Sequence, residues 1–222
     1  MDTSVGACSA ALREDGGIVE RVQEMQRGHA EALMPMIVSV MRAAGRQFGD
    51  LDLVAVTVGP GAFTGLRVGL AAARGIALAA GLPCFGVTTL EAVAEAIDWP
   101  TLARRPALVV LDNRQGGVYA QLYQAGRALE PASVQAIRVL AERHAGAPIA
   151  VAGDVPPPLI ASLRAACSNV EEIAVPRYPT AGRAATIAHR RWHAGERPET
   201  PPAPLYLQPP ATGPGAARAA AG

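Results

Sequence analysis

A repeat constrains this chain more than any other feature. Shifting the sequence by 110 positions lays Asp2, Gly6, Ala10 and Leu12 on Asp112, Gly116, Ala120 and Leu122, four identities within eleven positions. Both copies read as a turn followed by a strand, and a unit recurring at half the chain's length predicts two similar lobes. The copies differ in what precedes them: the second aspartate follows an apolar strand, "ALVVL", whereas the equivalent positions of the first copy lie before Met1. The repeat therefore predicts an apolar strand of about five residues upstream of Met1, a usual strand length.

Periodicity fills in the rest. Alternation predicts a hairpin at 7–12 and 18–22 and strands at 53–58 and within "ALVVLDNRQGGVYAQLY" and "PIAVAG". Helices are predicted at 29–44, 66–80, 90–96, 134–144, 158–166 and 181–194, the second stopped by Gly81 and Pro83. "WPTLARRP" reads as a lobe boundary, giving an N-terminal lobe at 1–100, a C-terminal lobe at 101–196 and a Pro/Ala/Gly-rich tail at 197–222. In that tail "LYLQ" can anchor locally, while the run after it has too little to bury to stay ordered.

Half of the 222 residues are apolar, enough to bury about 70% of the unfolded surface in one large or two small units. Twenty basic residues against 19 acidic ones leave a net charge of +1, which lacks the footprint of an independent nucleic-acid binder. Cys8, Cys84 and Cys167 are odd in number and widely spaced, which argues against a disulfide framework or a zinc site and favours a reducing cytoplasm. The apolar run at 66–82 carries Arg67 and Arg74 and falls short of the roughly 20 residues a membrane span needs. The expectation is a soluble, cytoplasmic protein.

The glycine-rich turn Gly59-Pro60-Gly61 before the 66–80 helix resembles a phosphate cradle but misses both nucleotide patterns. A Walker loop needs a lysine to reach the outer phosphates, and none is near; the dinucleotide pattern fits Gly59 and Gly61, then fails at Thr64. Bare amides with Thr64 as N-cap could still hold an anion. The favoured reading is that the glycines allow a sharp turn, and that Gly65, Gly69 and Ala73 permit close helix contact. Arg67 and Arg74 share one thin stripe of that helix. On the 29–44 helix, Met36, Val40, Leu33, Ile37, Met41, Met34 and Val38 fill an arc of about 200°, twice the stripe that one-sided packing requires. Such excess indicates a second internal layer or a protein interface.

Candidate catalytic residues are weak. Asp2 and Asp112 stand at equivalent strand ends, where a two-lobed phosphotransferase would hold magnesium and a general base, yet strand-end aspartates are commonly turn formers. His189 and His193 are four apart on a helix, but the glutamate that a zincin places next to the first histidine is replaced by Arg190, with Arg191 beside it. No Gly-x-Ser-x-Gly elbow exists and no cysteine carries a nucleophile signature. No catalytic residue, metal ligand or bound cofactor is assigned.

"GPGAFTGLRVGLAAARGIALAAGLPCFGVTTLEAVA" closely resembles the diagnostic segment of the TsaB (YeaZ) family, peptidase M22 or glycoprotease-like proteins of tRNA threonylcarbamoyladenosine synthesis. "DTSVGACSAAL", "HAEALMPMIVSVM", "LDNRQGGVYAQLY" and "PLYLQ" extend the match over most of the chain. The resemblance implies an α/β, two-lobed actin/sugar-kinase/Hsp70-like (ASKHA) fold with duplicated ribonuclease-H-like halves. It implies a non-catalytic subunit that supports the catalytic paralogue TsaD, with the ATPase TsaE joining, ATP used by the assembled complex, tRNA met only through that complex, and homodimers formed through the same surface. Carried over as partner interface are the first two long helices: His29, Leu33, Met36, Ile37 and Val40 on one, Phe63, Leu66, Gly69 and Leu70 on the other. Gly59, Gly61, Thr64, Gly65 and Arg67 form the glycine loop. The competing readings are a same-fold enzyme, either a small-molecule kinase or a metal-dependent peptidase, and an independent RNA-binding module.

Overall fold

The computed structural model describes residues 1–198 and 200–209. The first half opens with an antiparallel meander, β1 (Asp2–Val5), β2 (Ala7–Glu14) and β3 (Gly17–Glu24), whose second turn is the two-residue Asp15-Gly16 loop, a sequence suited to tight hairpins. Helix α1 (His29–Ala43) leads to β4 (Val54–Gly59), α2 (Phe63–Ala80) and β5 (Cys84–Thr88), with β4 and β5 parallel. The two groups of strands are joined by backbone bonds at Met1, whose nitrogen donates to the Ala55 carbonyl at 2.8 Å and whose carbonyl accepts from the Thr57 N–H at 3.2 Å. The spatial order is β3-β2-β1-β4-β5.

After the short α3 (Thr89–Ala94), the second half repeats the scheme. Strands β6 (Ala107–Asp112), β7 (Gly117–Gln124), the two-residue β8 (Arg127–Ala128) and β9 (Ser133–Ala136) are followed by α4 (Ile137–Arg143), β10 (Pro148–Asp154), α5 (Pro157–Ala166) and β11 (Asn169–Glu172). The order is β9-β7-β6-β10-β11, again three antiparallel strands and then two parallel ones, with β8 as a side pairing on β7. The duplication read from four identities is the architecture of the molecule, a two-lobed α/β fold of the actin and sugar-kinase type.

Helices α1 and α2 cover one face of the first sheet. Leu33, Ile37, Val40 and Met41 pack on Cys8 and Ala10, and Leu70, Ala73 and Ala77 on Val54, Val56 and Val58. In composition α2 could cross a bilayer, but its apolar stripe is spent on β4. In the second sheet Ala107, Val109 and Leu111 join Leu90 and Val93 of α3, while Leu108 and Val110 join Leu140 of α4 and Leu159 and Leu163 of α5. A strand buried on both faces reads as an unbroken apolar run, which is why β6 is "ALVVL".

The halves are not contiguous blocks. Helix α6 (Ala181–His193), numerically in the second half, packs on the first sheet: Ala184 and Ile187 lie with Val87, and Ala188 with Ala55 and Phe85. The predicted 134–144 helix divides into β9 and α4, α2 begins three residues before position 66, and β5 and β11 are strands that periodicity does not predict. Leu205 donates its N–H to Val58 O at 2.7 Å and the Tyr206 ring sits 4.8 Å from Phe63, so "LYLQ" is anchored on the first lobe; the Pro/Ala/Gly run at 210–222, expected to be unordered, lies outside the described residues.

Candidate partner-binding face and interlobe cleft

Of the residues expected to meet a partner, most face inward. Leu33, Ile37, Val40, Leu66, Gly69 and Leu70 are buried within this single chain, and only His29, Met36 and Phe63 are partly accessible. The His29 ring nitrogen lies 3.2 Å from Val5 O, and the Phe63 ring is held between Tyr206 and the Arg67 guanidinium, 3.7 Å from its centroid. Within the single chain most of the side chains expected at the interface are therefore packing residues of the first lobe. The roughly 100° stripe centred near Leu33 and Ile37 belongs to the sheet, and the surplus of the 200° arc is its flank, Met34 and Val38, each 42% exposed. Their i, i+4 spacing was the available signal. On α2 the outward residues are Thr64, Arg67, Ala71, Arg74, Gly75, Leu78 and Ala79, and Leu78 is 86% exposed.

The helix pair in the same place on the second lobe is dressed differently. Arg138 pairs with Glu142 at 3.2 Å, Arg164 with Glu172 at 2.7 Å, and Arg143 with Glu130. Both outer layers are mixed: α4 exposes Val139 at 50% among its ion pairs, and α1 and α2 expose Met34, Val38 and Leu78 beside Glu31, Arg42, Arg67 and Arg74, without ion pairs among them in the described residues.

The glycine loop is a packing device. A Cβ on Gly65 would stand 2.0 Å from Thr3 O, and one on Gly61 2.1 Å from Ser4 O, far inside contact distance. Through these glycines the start of α2 lies on β1, fixed by Ala62 N–H to Ser4 O at 2.7 Å and Thr3 Oγ1–H to Gly65 O at 2.7 Å. The close neighbour is thus a strand backbone rather than another helix. Thr64 is exposed inside the first turn and is not the N-cap; that position is Ala62, which has no side-chain cap, because Phe63 carries the helix three residues further upstream.

The cleft side of the lobes holds the two repeated aspartates in unlike environments. Asp2 is buried; its Oδ1 accepts from Ser4 N at 3.1 Å, Ser4 Oγ at 2.6 Å and Thr57 Oγ1 at 2.5 Å, while Oδ2 is buried without a partner. Burial pushes this carboxyl above the ordinary aspartate range, opposed by the hydroxyl donors. Asp112 instead accepts the Arg114 N–H at 2.7 Å and pairs with its guanidinium at 3.1 Å. The same Arg114 reaches the buried Asp154 at 2.8 Å, and Arg177 closes Asp154 from the other side at 2.6 Å. Arginines hold the carboxylates a magnesium site would need. Sequence reasoning missed Asp154, Arg114 and Arg177, which are far apart in the chain and belong to no motif.

His189 and His193 stand with ring centroids 4.2 Å apart, and His189 Nε2 is 3.5 Å from an exposed Asp15 oxygen. No group of three metal-ligating side chains occurs among the described residues. Their neighbours do structural work: Arg190 grips Glu95 with two nitrogens at 2.8 and 2.9 Å, and Arg191 holds Glu91 at 2.5 Å, tying α6 to the α3 region.

Fold and site together define a two-lobed α/β protein of the actin and sugar-kinase class whose second-lobe carboxylates Asp112 and Asp154 are held by Arg114 and Arg177 and whose first lobe exposes Met34, Val38 and Leu78 on its outer helices. The family profile described as "TsaD: tRNA N6-adenosine threonylcarbamoyltransferase" matches residues 7–173. The TsaB protein of Escherichia coli K12 is 36% identical over 124 residues, 56% of this chain and 53% of the relative, so the match spans about half of that protein's length. An uncharacterized protein of Mycobacterium tuberculosis is 36% identical over 157 residues, 69% of this chain and 70% of the relative. The solved structure of YeaZ from Pseudomonas aeruginosa superposes with a TM-score of 0.76 at 27% identity, covering 93% of this chain and 97% of that one. The chain belongs to the TsaB/YeaZ family of threonylcarbamoyltransferase-like proteins.

Proposed function

We propose that this chain is a supporting subunit in the synthesis of N6-threonylcarbamoyladenosine in tRNA, acting in the cytoplasm by binding the catalytic paralogue TsaD rather than by turning over substrate. The observation that carries this reading is the apolar set Met34, Val38 and Leu78 exposed on the outer helices of the first lobe, against the single exposed Val139 among the ion pairs of the second lobe's α4 and α5. Apolar surface of this kind marks protein interfaces. The cleft supports it too, since phosphoryl transfer needs carboxylates free for magnesium and here Asp112 and Asp154 are paired with Arg114 and Arg177 while Asp2 is sealed from water. ATP is then used by the assembled complex with TsaE, tRNA is met only there, and the same face pairs two copies when TsaD is scarce.

Co-expression with TsaD and TsaE, followed by an assay of tRNA modification with this chain left out, tests the reading. Modified adenosine is expected to fall to background when this chain is left out. ATP turnover by the chain alone, abolished by Asp112→Asn, would instead establish a same-fold enzyme.

A further inference from the structure

Beyond α6 the chain runs back across the molecule, and fixed contacts mark its route. The Arg74 guanidinium on α2 donates to Pro202 O from Nη2 at 2.6 Å and from Nε at 3.1 Å. Leu205 donates its N–H to Val58 O at 2.7 Å and packs on the Val54, Val56 and Val58 cluster of the first sheet. Its carbonyl comes so near Gly59 that a Cβ there would stand 2.6 Å away, a closeness that only glycine permits. Two residues further on, Leu207 is half-buried against a different cluster, in which Val109 and Leu111 of β6 and Ala152 of β10 join Leu90 and Val93 of α3. We propose that this segment is a clamp between the lobes: Leu205 grips the first, Leu207 the second, and the angle between them is set by the chain itself rather than by a ligand in the cleft.

The short span gives the clamp its stiffness. Two residues of chain reach at most about 7 Å, so the anchors cannot move apart while both stay docked. Tyr206, the residue between them, has its ring 4.8 Å from Phe63 at the start of α2, which holds the span itself against the first lobe.

The surroundings show what such a tie would restrain. Two-lobed kinases shut on their ligands by hinge rotation, the change being absorbed by a few residues where the chain passes between lobes. Here the chain passes to the second lobe at 95–106, after α3, and returns at 173–180, before α6. Trp99 and Leu102 of the first crossing and Ile173 and Val175 of the second lie on the same cluster that receives Leu207, as does Val5 of β1. The seam is therefore one apolar surface to which the tail adds a third tie, and a hinge of two crossings becomes a fixed joint.

The clamp is tested by where slack is added. A six-residue Gly/Ser insertion gives about 13 Å of slack and removes no side chain. Placed between Tyr206 and Leu207 it loosens the span; placed between Ala203 and Pro204 it lies outside the span and serves as the control. Leu207→Asp, in the chain without insertions, removes the second anchor outright. The 206/207 insertion and Leu207→Asp are each expected to speed amide exchange at 99–105 and 173–180 about tenfold. Both should raise the radius of gyration by about 1 Å over the ~17 Å of a compact chain of this length, with exchange in β4 and β6 unchanged. The control insertion is expected to behave like the unaltered chain. Equal exchange in the two crossings for both insertions would overturn the clamp. So would a 206/207 insertion that speeds exchange throughout β4 and β6, the mark of ordinary core packing. The measurement needs no partner, so its failure leaves the TsaD reading untouched.

Discussion

The two lobes share a strand order and part company in two places. In the second lobe the central strand β6 is paired on both edges from Ala107 to Leu111, and the helices outside it carry ion pairs around a single exposed Val139. In the first lobe β1 meets β4 through the Met1 backbone bonds and the Asp2–Thr57 hydrogen bond, while the helices outside it expose Met34, Val38 and Leu78. A duplicated architecture provides its own control. What one copy keeps as ordinary stability chemistry, the other copy departs from, and the departure locates a face suited to a protein partner.

The sharpest way to break the comparison is to misassign its inner and outer residues. Ile37→Glu places a carboxylate against Cys8, Ala10 and Leu33, and should destabilise the isolated chain by roughly 4 kcal/mol or more, read as a fall in denaturation midpoint. That expectation differs from what the family resemblance implies, in which Ile37 belongs to the partner interface and the isolated chain tolerates the change. Next in size is Gly65→Ala. Its methyl would meet the Thr3 carbonyl at 2.0 Å, and the start of α2 must lift off β1 at a cost of about 3 kcal/mol, visible as faster amide exchange at 62–66.

A smaller effect sharpens the contrast between Asp2 and Asp112. Because burial raises the folded-state pKa of Asp2, the folded chain keeps a proton that the unfolded chain has released above about pH 4, so stability is lost as pH rises through that window toward the folded pKa. Asp2→Asn leaves an oxygen to accept from Ser4 and Thr57 and removes the ionisation. It is expected to raise Tm by about 3 °C at pH 7, a change of roughly 1 kcal/mol in a chain of this size, with the gain vanishing near pH 4. Smallest is Arg190→Ala. Its bidentate pair with Glu95 is largely exposed on the arginine side, so thermal denaturation should register a loss below about 1 kcal/mol.

The sequence disclosed the fold more readily than the site. Identities at Asp2/Asp112 and Gly6/Gly116 sufficed to predict duplicated lobes, and "ALVVL" announced a strand covered on both faces. Strand β5 was hidden because Gly86 interrupts its pattern; a Cβ there would press on Val58 and Pro202 at 2.7 and 2.9 Å, a constraint imposed by chain more than a hundred residues away. The attachment of α6 to the first sheet was hidden for the same reason, since nothing local says which sheet an amphipathic helix covers. At the partner face, the helical arc showed that α1 has apolar surface to spare, but an arc has no absolute orientation. Only the sheet fixes Leu33, Ile37 and Val40 as inward and leaves Met34 and Val38 outside. The Asp154 clamp by Arg114 and Arg177 has no spacing signature at all, being assembled from three separate segments.

The partner face is tested most directly by calorimetric titration of TsaD into three forms of this chain: unaltered, Met34→Asp/Val38→Asp, and Val139→Asp on the equivalent outer helix of the second lobe, where Val139 is 50% exposed. The account predicts that the double substitution weakens association by at least about 100-fold, as expected for charging the centre of an apolar interface, with Tm unchanged, and that Val139→Asp binds like the unaltered chain. Equal affinity for all three, or a loss confined to Val139→Asp, would contradict it.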